Sequence, residues 1–517
     1  MRFGFVGPAY ASPSPLADAE ALINWRPQKV ESPNARTAYI LLPTPGLLLF
    51  ANLSAAVGVQ LPSVRGLYTT QGRTFAVAGT HLVELTANGG VTDYGDNTHA
   101  NNNILDDGLP ATMVAGGTVG GSYPSQLLIC SGGTLTVFSL VSNSFQALTT
   151  PPTNNLMVEF LDGYFIALSE GNIWSVSNPE DATTWPGIAV TEVQVFSDQL
   201  LALIATNRLL WVFGARRAVA YYNSGAPLFP FDVASGGFME VGLIAQYSPC
   251  RVATHAGTTI LWLGGDERGA GVVFAANGYI PQRVSGSALE YWLSKNTISD
   301  AVGFATQEEG QNFYNLWFPT ADTMWTLDLD LGWWHQRSSL VKGRAGAQLA
   351  RCHTYNFNQH LVGDRNSGNI YVMSSQFFSE NTGPGIYTPI VRTRIGPTIS
   401  NEGGQIPVPI NEFQVDFEMG MGPQPPLTDA FGLPRDPLAV FSYSEDFGKT
   451  WSYERTIACG QAGNFKKVAI DRRLGSWRSW TPKVSVSDPI AWRIVDAYTN
   501  GTQQQQQRLA KRFAEIS

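Results

Sequence analysis

Charge is scarce in this sequence: only 14% of its 517 residues are Asp, Glu, Lys or Arg. A surface with so few charges must consist largely of uncharged polar groups or be covered by neighbours in an assembly. The charges sum to −8, which argues against a basic nucleic-acid reader and against attachment to an anionic membrane surface. Cysteine is scarcer still. Cys130, Cys250, Cys352 and Cys459 lie far apart with no CxxC or other ligand-like spacing, so neither a disulfide framework nor a zinc centre is supported, and reduced, buried thiols are expected. No run reaches the ~20 apolar residues of a spanning helix, and the N-terminal MRFGFVG is too short in apolar residues for a signal peptide. The chain is therefore expected in the cytoplasm of the cell that makes it, to be released by lysis.

The motifs of common catalytic sites are also missing. His81, His99, His255, His335, His353 and His360 form no HxxH or HxxxH pair, so zinc ligation on a helix or hairpin has no handle in the sequence. There is no GxSxG elbow. The glycines of GGTVGG (116 to 121) lack the strand, helix and Lys-Ser/Thr of a phosphate cradle, and read as a flexible loop. Asp328 and Asp330, ahead of Gly332, Trp333 and Trp334, suggest a metal pair at first sight, but an Asp-rich turn closing over tryptophan is the simpler reading. No cofactor, metal or catalytic residue is expected.

What the sequence has in quantity is turn residues, with 52 Gly and 31 Pro and no period between them, beside a 44% hydrophobic content. Many short strands joined by turns fit this composition, and the chain reads as all-β. Residues 1–48 are interrupted by Pro8, Pro13, Pro15, Pro27, Pro33, Pro43 and Pro45 and read as an extended arm, since proline fixes φ and removes ladder donors. Within it, PLADAEALI (15 to 23) could form two helical turns capped by Ser14.

From about residue 60 an apolar strand, a Gly- or Asn-bearing turn and a second apolar strand recur: 75–85, 127–140, 164–177, 200–214, 260–280, 316–336 and 360–375. Their spacing suits the four-stranded blades of a β-propeller over residues 49–375, with six or seven blades. Beyond a turn-rich linker at 379–389, the strands 411–422, 438–446, 464–470 and 491–500 alternate with period two, which predicts a β-sandwich-like domain over 376–501. The remainder, 502–517, is Gln-rich and then basic, a polar tail expected to order only on a neighbour.

Two segments of the C-terminal part stand out. Ser444, Asp446, Gly448 and Trp451 fit the S-x-D-x-G-x-T-W pattern that resembles the Asp-box of sialidases, a turn in which the Asp side chain satisfies backbone donors. It occurs once and without an arginine cluster or a Tyr/Glu nucleophile pair, so a structural turn is expected. Charge also shifts here: residues 435–517 carry 13 Lys/Arg against 8 Asp/Glu, leaving −13 on the first 434. Lys466, Lys467, Arg472, Arg473, Arg478, Lys483 and Arg493 are interleaved with Phe465, Trp477, Trp480 and Trp492. Such a mixture suits nucleic acid or a protein groove, and the acidic remainder favours the groove. The interface candidates are Lys466, Lys467, Arg472, Arg473, Trp477, Arg478 and Trp480.

Short motifs in order along the chain resemble the packaged-DNA stabilisation (tail hub or nozzle) proteins of short-tailed bacteriophages. They include Asn24-Trp25-Arg26-Pro27-Gln28, Pro43-Thr44-Pro45-Gly46-Leu47, Arg65-Gly66-Leu67-Tyr68, Asp162-Gly163-Tyr164-Phe165, Leu210-Trp211-Val212-Phe213-Gly214, Tyr443-Ser444 through Trp451, and Ser487-Asp488-Pro489. The resemblance implies a non-enzymatic virion protein in a six-copy ring that docks on the head-to-tail adaptor and is plugged by a tail needle. It also implies neighbouring tailspikes or fibres, and duplex DNA passing without sequence-specific binding. A tail-associated glycan-binding or sialidase-like propeller is the alternative.

Overall fold

The computed structural model describes residues 3–187, 190–192, 198–227, 229–255, 257–265, 271–401, 404–423, 426–429 and 431–499; the Gln-rich tail expectation lies outside them. Among the described residues, seven four-stranded units follow one another in the chain, each antiparallel and each starting from an inner strand. The inner strands are Val64–Thr70, Thr112–Gly116, Asn155–Leu161, Leu200–Thr206, Cys250–Thr254, Val302–Glu308 and Ala350–Asn356. Each packs on the next, and the last packs back on the first, which closes the ring of a β-propeller. We number these units blades 1 to 7.

The second strand of each blade lies between flanking blades on both faces. This is why Gln126–Ser131 is buried at every position, and why these strands read as continuous apolar runs instead of alternating ones. Separate apolar clusters fill the spaces between neighbouring blades. Two-residue turns with both φ values positive, Gln71-Gly72 and Asp162-Gly163 among them, match the twist of the strands they join.

Blade 7 is completed from the other end of the sequence. Its fourth strand is Gly46–Asn52, antiparallel to Asn369–Ser374. A Cβ at Gly46 would lie 2.5 Å from the Ser379 carbonyl oxygen, so this crossing needs glycine. The segment read as a linker, 379–389, instead forms the hairpin Ser379–Gly383 and Ile386–Pro389, whose first strand runs parallel to Gly46–Asn52.

The second unit is a β-sandwich, and residues 1–48 contribute strands to both of its sheets. One sheet runs Trp25–Lys29, Tyr39–Pro43, Ile494–Thr499, Glu412–Phe417, Ala469–Arg472; the other runs Ala19–Ile23, Arg392–Ile395, Ser479–Val486, Leu438–Ser444, Arg455–Ala458. Trp25, Phe413, Phe441, Trp480 and Ile494 are among the buried residues between them. Alternation is visible where one face meets this core: Glu412–Phe417 buries every second residue. The extended arm is thus woven into sheets, and the predicted helix over 15–23 is replaced by a turn at Ser14 and the strand Ala19–Ile23. Cross-strand pairing with Arg392–Ile395 outweighs a helical propensity too short to hold alone.

The strand Ala19–Ile23 also touches blade 6, with Ile23 opposite Gln336 in parallel. Asn24 reinforces the joint by donating to the carbonyls of Ser338 and Val391 at 2.9 and 2.8 Å. Nearby, Glu380 accepts from the Ser339 hydroxyl at 2.5 Å. Burial pushes its carboxyl up to about 7, Ser339 and Arg392 opposing, while burial brings Arg392 down to about 9. A folded value above the ordinary 4.5 means that protonated Glu380 favours the native state. The stability this confers is present below pH 4.5 and is lost as pH rises through about 7. Glu380→Gln, which keeps the neutral form at every pH, is expected to gain stability over the native chain across that window, measured by denaturant unfolding in steps of pH.

Candidate functional site

A propeller places seven inner strands around one axis, and what fills that axis decides whether anything can pass. Here it holds a cavity of about 380 Å³, lined among others by Tyr68, Met113, Met157, Glu159, Tyr247 and Arg251. Glu159 of blade 3 and Arg251 of blade 5 form an ion pair past blade 4. Burial raises the Glu159 carboxyl, with Arg251 opposing. Duplex DNA, whose major groove alone is about 12 Å wide, cannot thread this axis.

The sandwich divides the basic, aromatic segment into core and surface. Trp480 was grouped with the interface candidates, but it is fully buried, with Phe413, Phe441 and Tyr443 around it. A strand's period of two turns Trp480 inward, and so removes it from any docking surface. Trp492 is likewise buried, and Trp477 is half-buried, its indole donating to the Leu474 carbonyl at 2.5 Å. Several cations already have partners: Lys467 with Asp436 at 2.5 Å, Arg472 with Glu412 at 3.2 Å and Arg493 with Glu418 at 2.6 Å. Lys483 lies 4.5 Å over the Trp451 ring.

Lys466, Arg473 and Arg478 are exposed and have no carboxylate within 4.0 Å among the described residues. Beside Lys466 in the chain, Phe465 is 72% exposed, and Phe431, five residues before Asp436, is 88% exposed. Exposed aromatics next to unpaired cations are the composition of a protein-docking surface.

The Asp446 turn joins Leu438–Ser444 to the segment before Arg455–Ala458. Asp446 Oδ1 accepts from the amides of Lys449 and Thr450 at 3.0 and 2.8 Å, and its Oδ2 accepts from the Thr450 hydroxyl at 2.6 Å. Ser444 donates to Asp446 at 2.7 Å and accepts from the Gly448 amide at 2.8 Å, while Gly448 stands at φ +86°. The Thr450 hydroxyl and these amides hold the Asp446 carboxyl well below the usual carboxylate range. Every oxygen contact is internal to the turn. Asp446→Ala is expected to speed amide exchange at Lys449 and Thr450 and to lower the melting midpoint, with circular dichroism unchanged. Unaltered exchange at both amides would show that the turn does not depend on this carboxylate.

Elsewhere, Asp328 is buried and accepts from the amides of Asp330 and Leu331 at 2.9 and 3.2 Å; burial pushes its carboxyl up to about 6. Its position is that of a turn residue. No group of three or more His, Cys, Asp or Glu side chains gathers at metal-binding distance among the described residues. All four cysteines are unpaired; Cys130 and Cys459 are buried, while Cys250 and Cys352 are partly so. No described helix is long and apolar enough to cross a membrane.

Sequence reasoning missed the buried arginines. Arg26, Arg65, Arg337, Arg392 and Arg394 are among the largest fully buried side chains. Arg65 ties blade 1 to blade 2 through Asp107 at 3.1 Å, the Leu105 carbonyl at 2.8 Å and the Ser131 hydroxyl at 2.7 Å. The signal was present in R-T-R (392 to 394), where period two places both arginines on one face. Sequence reasoning also missed the meeting of His353 with His360 across the hairpin of blade 7, where their ring nitrogens are 3.0 Å apart.

Compared with known proteins, residues 40–377 match a family model described as bacteriophage P22 Gp10, beta-propeller, and residues 392–490 match one described as bacteriophage P22 Gp10, beta-sandwich. No curated protein matches the chain. Among solved structures, the crystal structure of the computationally designed Ika8 protein is 8% identical, with 61% of this chain and 96% of that chain covered and a TM-score of 0.37.

Proposed function

This chain belongs to the bacteriophage P22 Gp10 family and is a bacteriophage structural protein; from that premise we propose that it is a tail hub, a ring below the portal and adaptor of a short-tailed particle. The ring extends the DNA channel, retains packaged DNA and conducts it during ejection. The ordered family match across both propeller and sandwich carries this reading. The blocked propeller axis supports one part of it: the conduit runs between subunits and not through any one of them. Six copies, an adaptor above, a needle or plug below and tailspikes or fibres at the side are the proposed partners. The protein works without catalysis or cofactor.

Electrostatics fits a conduit. Each Lys or Arg that touches a phosphate adds salt-sensitive affinity and drag, and the first 434 residues carry −13. At physiological salt the purified chain is expected to bind duplex DNA no tighter than about 10⁻⁴ M, with a shallow salt slope. Electron microscopy of virions labelled on this protein tests the placement itself, the expected position being a ring at the tail vertex. Label elsewhere, or turnover of sialylated or lipopolysaccharide glycans by the purified chain, would overturn the assignment.

A further inference from the structure

We propose that His353 and His360 form a two-imidazole site for a first-row transition-metal ion such as Zn²⁺ or Cu²⁺, at the cleft between blades 6 and 7. The hairpin of Ala350–Asn356 and Gln359–Asp364 sets Tyr355 opposite His360 and His353 opposite Val362. These four residues therefore share one face of the sheet, with the two histidines on a diagonal. His353 Nε2 and His360 Nδ1 are 3.0 Å apart, while the ring centroids are 5.3 Å apart and the planes 20° apart. The facing nitrogens thus lie on the line between the rings, which meet edge to edge. Both rings line a cleft of about 510 Å³, opposite Thr306, Gln307, Glu309 and Asn312 of blade 6, so water and ions have access to them.

One hydrogen must lie between two nitrogens at this separation. Either His353 Nε2 or His360 Nδ1 donates that hydrogen, and the other nitrogen presents its lone pair to it. Zn–N bonds of about 2.0 to 2.1 Å at a tetrahedral angle set the two nitrogens about 3.4 Å apart, so the two rings admit an ion by each turning about 35° out of their shared line. The bridging hydrogen leaves its nitrogen to solvent and one is taken up at the other nitrogen of the same ring, so there is no net change in protonation. Two coordination positions remain for water, and imidazole donors select Cu²⁺ and Zn²⁺ over Mg²⁺ and Ca²⁺.

The full-length chain titrated with CuCl₂ and followed by electron paramagnetic resonance is expected to take up one ion coupled to two imidazole nitrogens. Zn²⁺ calorimetry should give the same stoichiometry. His353→Gln and His360→Gln, which keep a hydrogen-bonding side chain of similar reach, should each weaken binding at least tenfold with an unchanged melting midpoint in the absence of metal. A wild-type chain with no saturable Cu²⁺ or Zn²⁺ binding would overturn the proposal, as would equal binding by the His353→Gln/His360→Gln double variant.

Discussion

Arg394→Met is expected to lower the stability of the folded chain by about 3 to 5 kcal/mol, the usual cost of removing one partner of a buried ion pair. The Arg394 guanidinium donates to the carbonyl oxygens of Phe5 at 2.7 Å, Pro8 at 3.0 Å and Ala21 at 3.3 Å, and forms an ion pair with Glu20. One side chain of the C-terminal sandwich sheet thus holds the N-terminal path at three points. Burial raises the Glu20 carboxyl, with Arg394 opposing, and lowers Arg394, with Glu20 opposing; each charge is tolerated because the other is present. Methionine fills similar volume but leaves three carbonyls and a carboxylate without their donor. Adding Glu20→Gln should restore only part of the loss, since the carbonyls still lack a partner. The check is denaturant unfolding with limited proteolysis of residues 3–18. Unchanged midpoints and unchanged protection would mean that the segment is held by its strand pairing alone.

The same contact explains why the sandwich was only half legible in the sequence. Its C-terminal strands alternate apolar and polar residues within a few positions of one another, a pattern that one window of sequence reveals. Its N-terminal strands offer no such signal. Trp25–Lys29 contains Pro27, and Ala19–Ile23 finds its partners at Arg392–Ile395, more than three hundred residues away. Nothing local announces a pairing of that length, and the prolines argue for an arm. The propeller was more legible because each hairpin pairs with itself: all seven recurring segments fall in separate blades. What stayed hidden was its closure by Gly46–Asn52, which is again a long-range pairing.

The candidate surface shows the complementary limit. Composition places Trp480 beside Arg478 and Lys483, and their functional reading depends on which way each points. In Ser479–Val486 the tryptophan faces the core, while Lys483 lies over Trp451. A basic, aromatic run in sequence thus becomes an apolar core, a set of internal ion pairs and three cations left for a partner. Arg472 belongs with the internal pairs, through Glu412, so reversing its charge would disturb the fold as well as any interface.

Reversal of Lys466, Arg473 and Arg478 together to Glu is therefore the sharper test, and it is expected to abolish the assembly on an adaptor proposed above. None of the three has a carboxylate within 4.0 Å among the described residues, so the isolated variant should keep the wild-type stability to within about 0.5 kcal/mol per site. Docking surfaces that meet through complementary charge lose association rate first and then specificity when the sign is inverted. In the proposed ring the loss is multiplied, because every copy carries the same defect. The native chain alone should sediment as a monomer or weak oligomer and form rings only when the adaptor is added; the triple variant should remain at the monomer position in both samples. Phe465→Ser, which removes the exposed aromatic beside Lys466 without changing charge, should weaken assembly to a lesser degree. Rings of the triple variant that form normally but leak packaged DNA would place these cations on the channel wall, and the sandwich would then face the DNA instead of its neighbours.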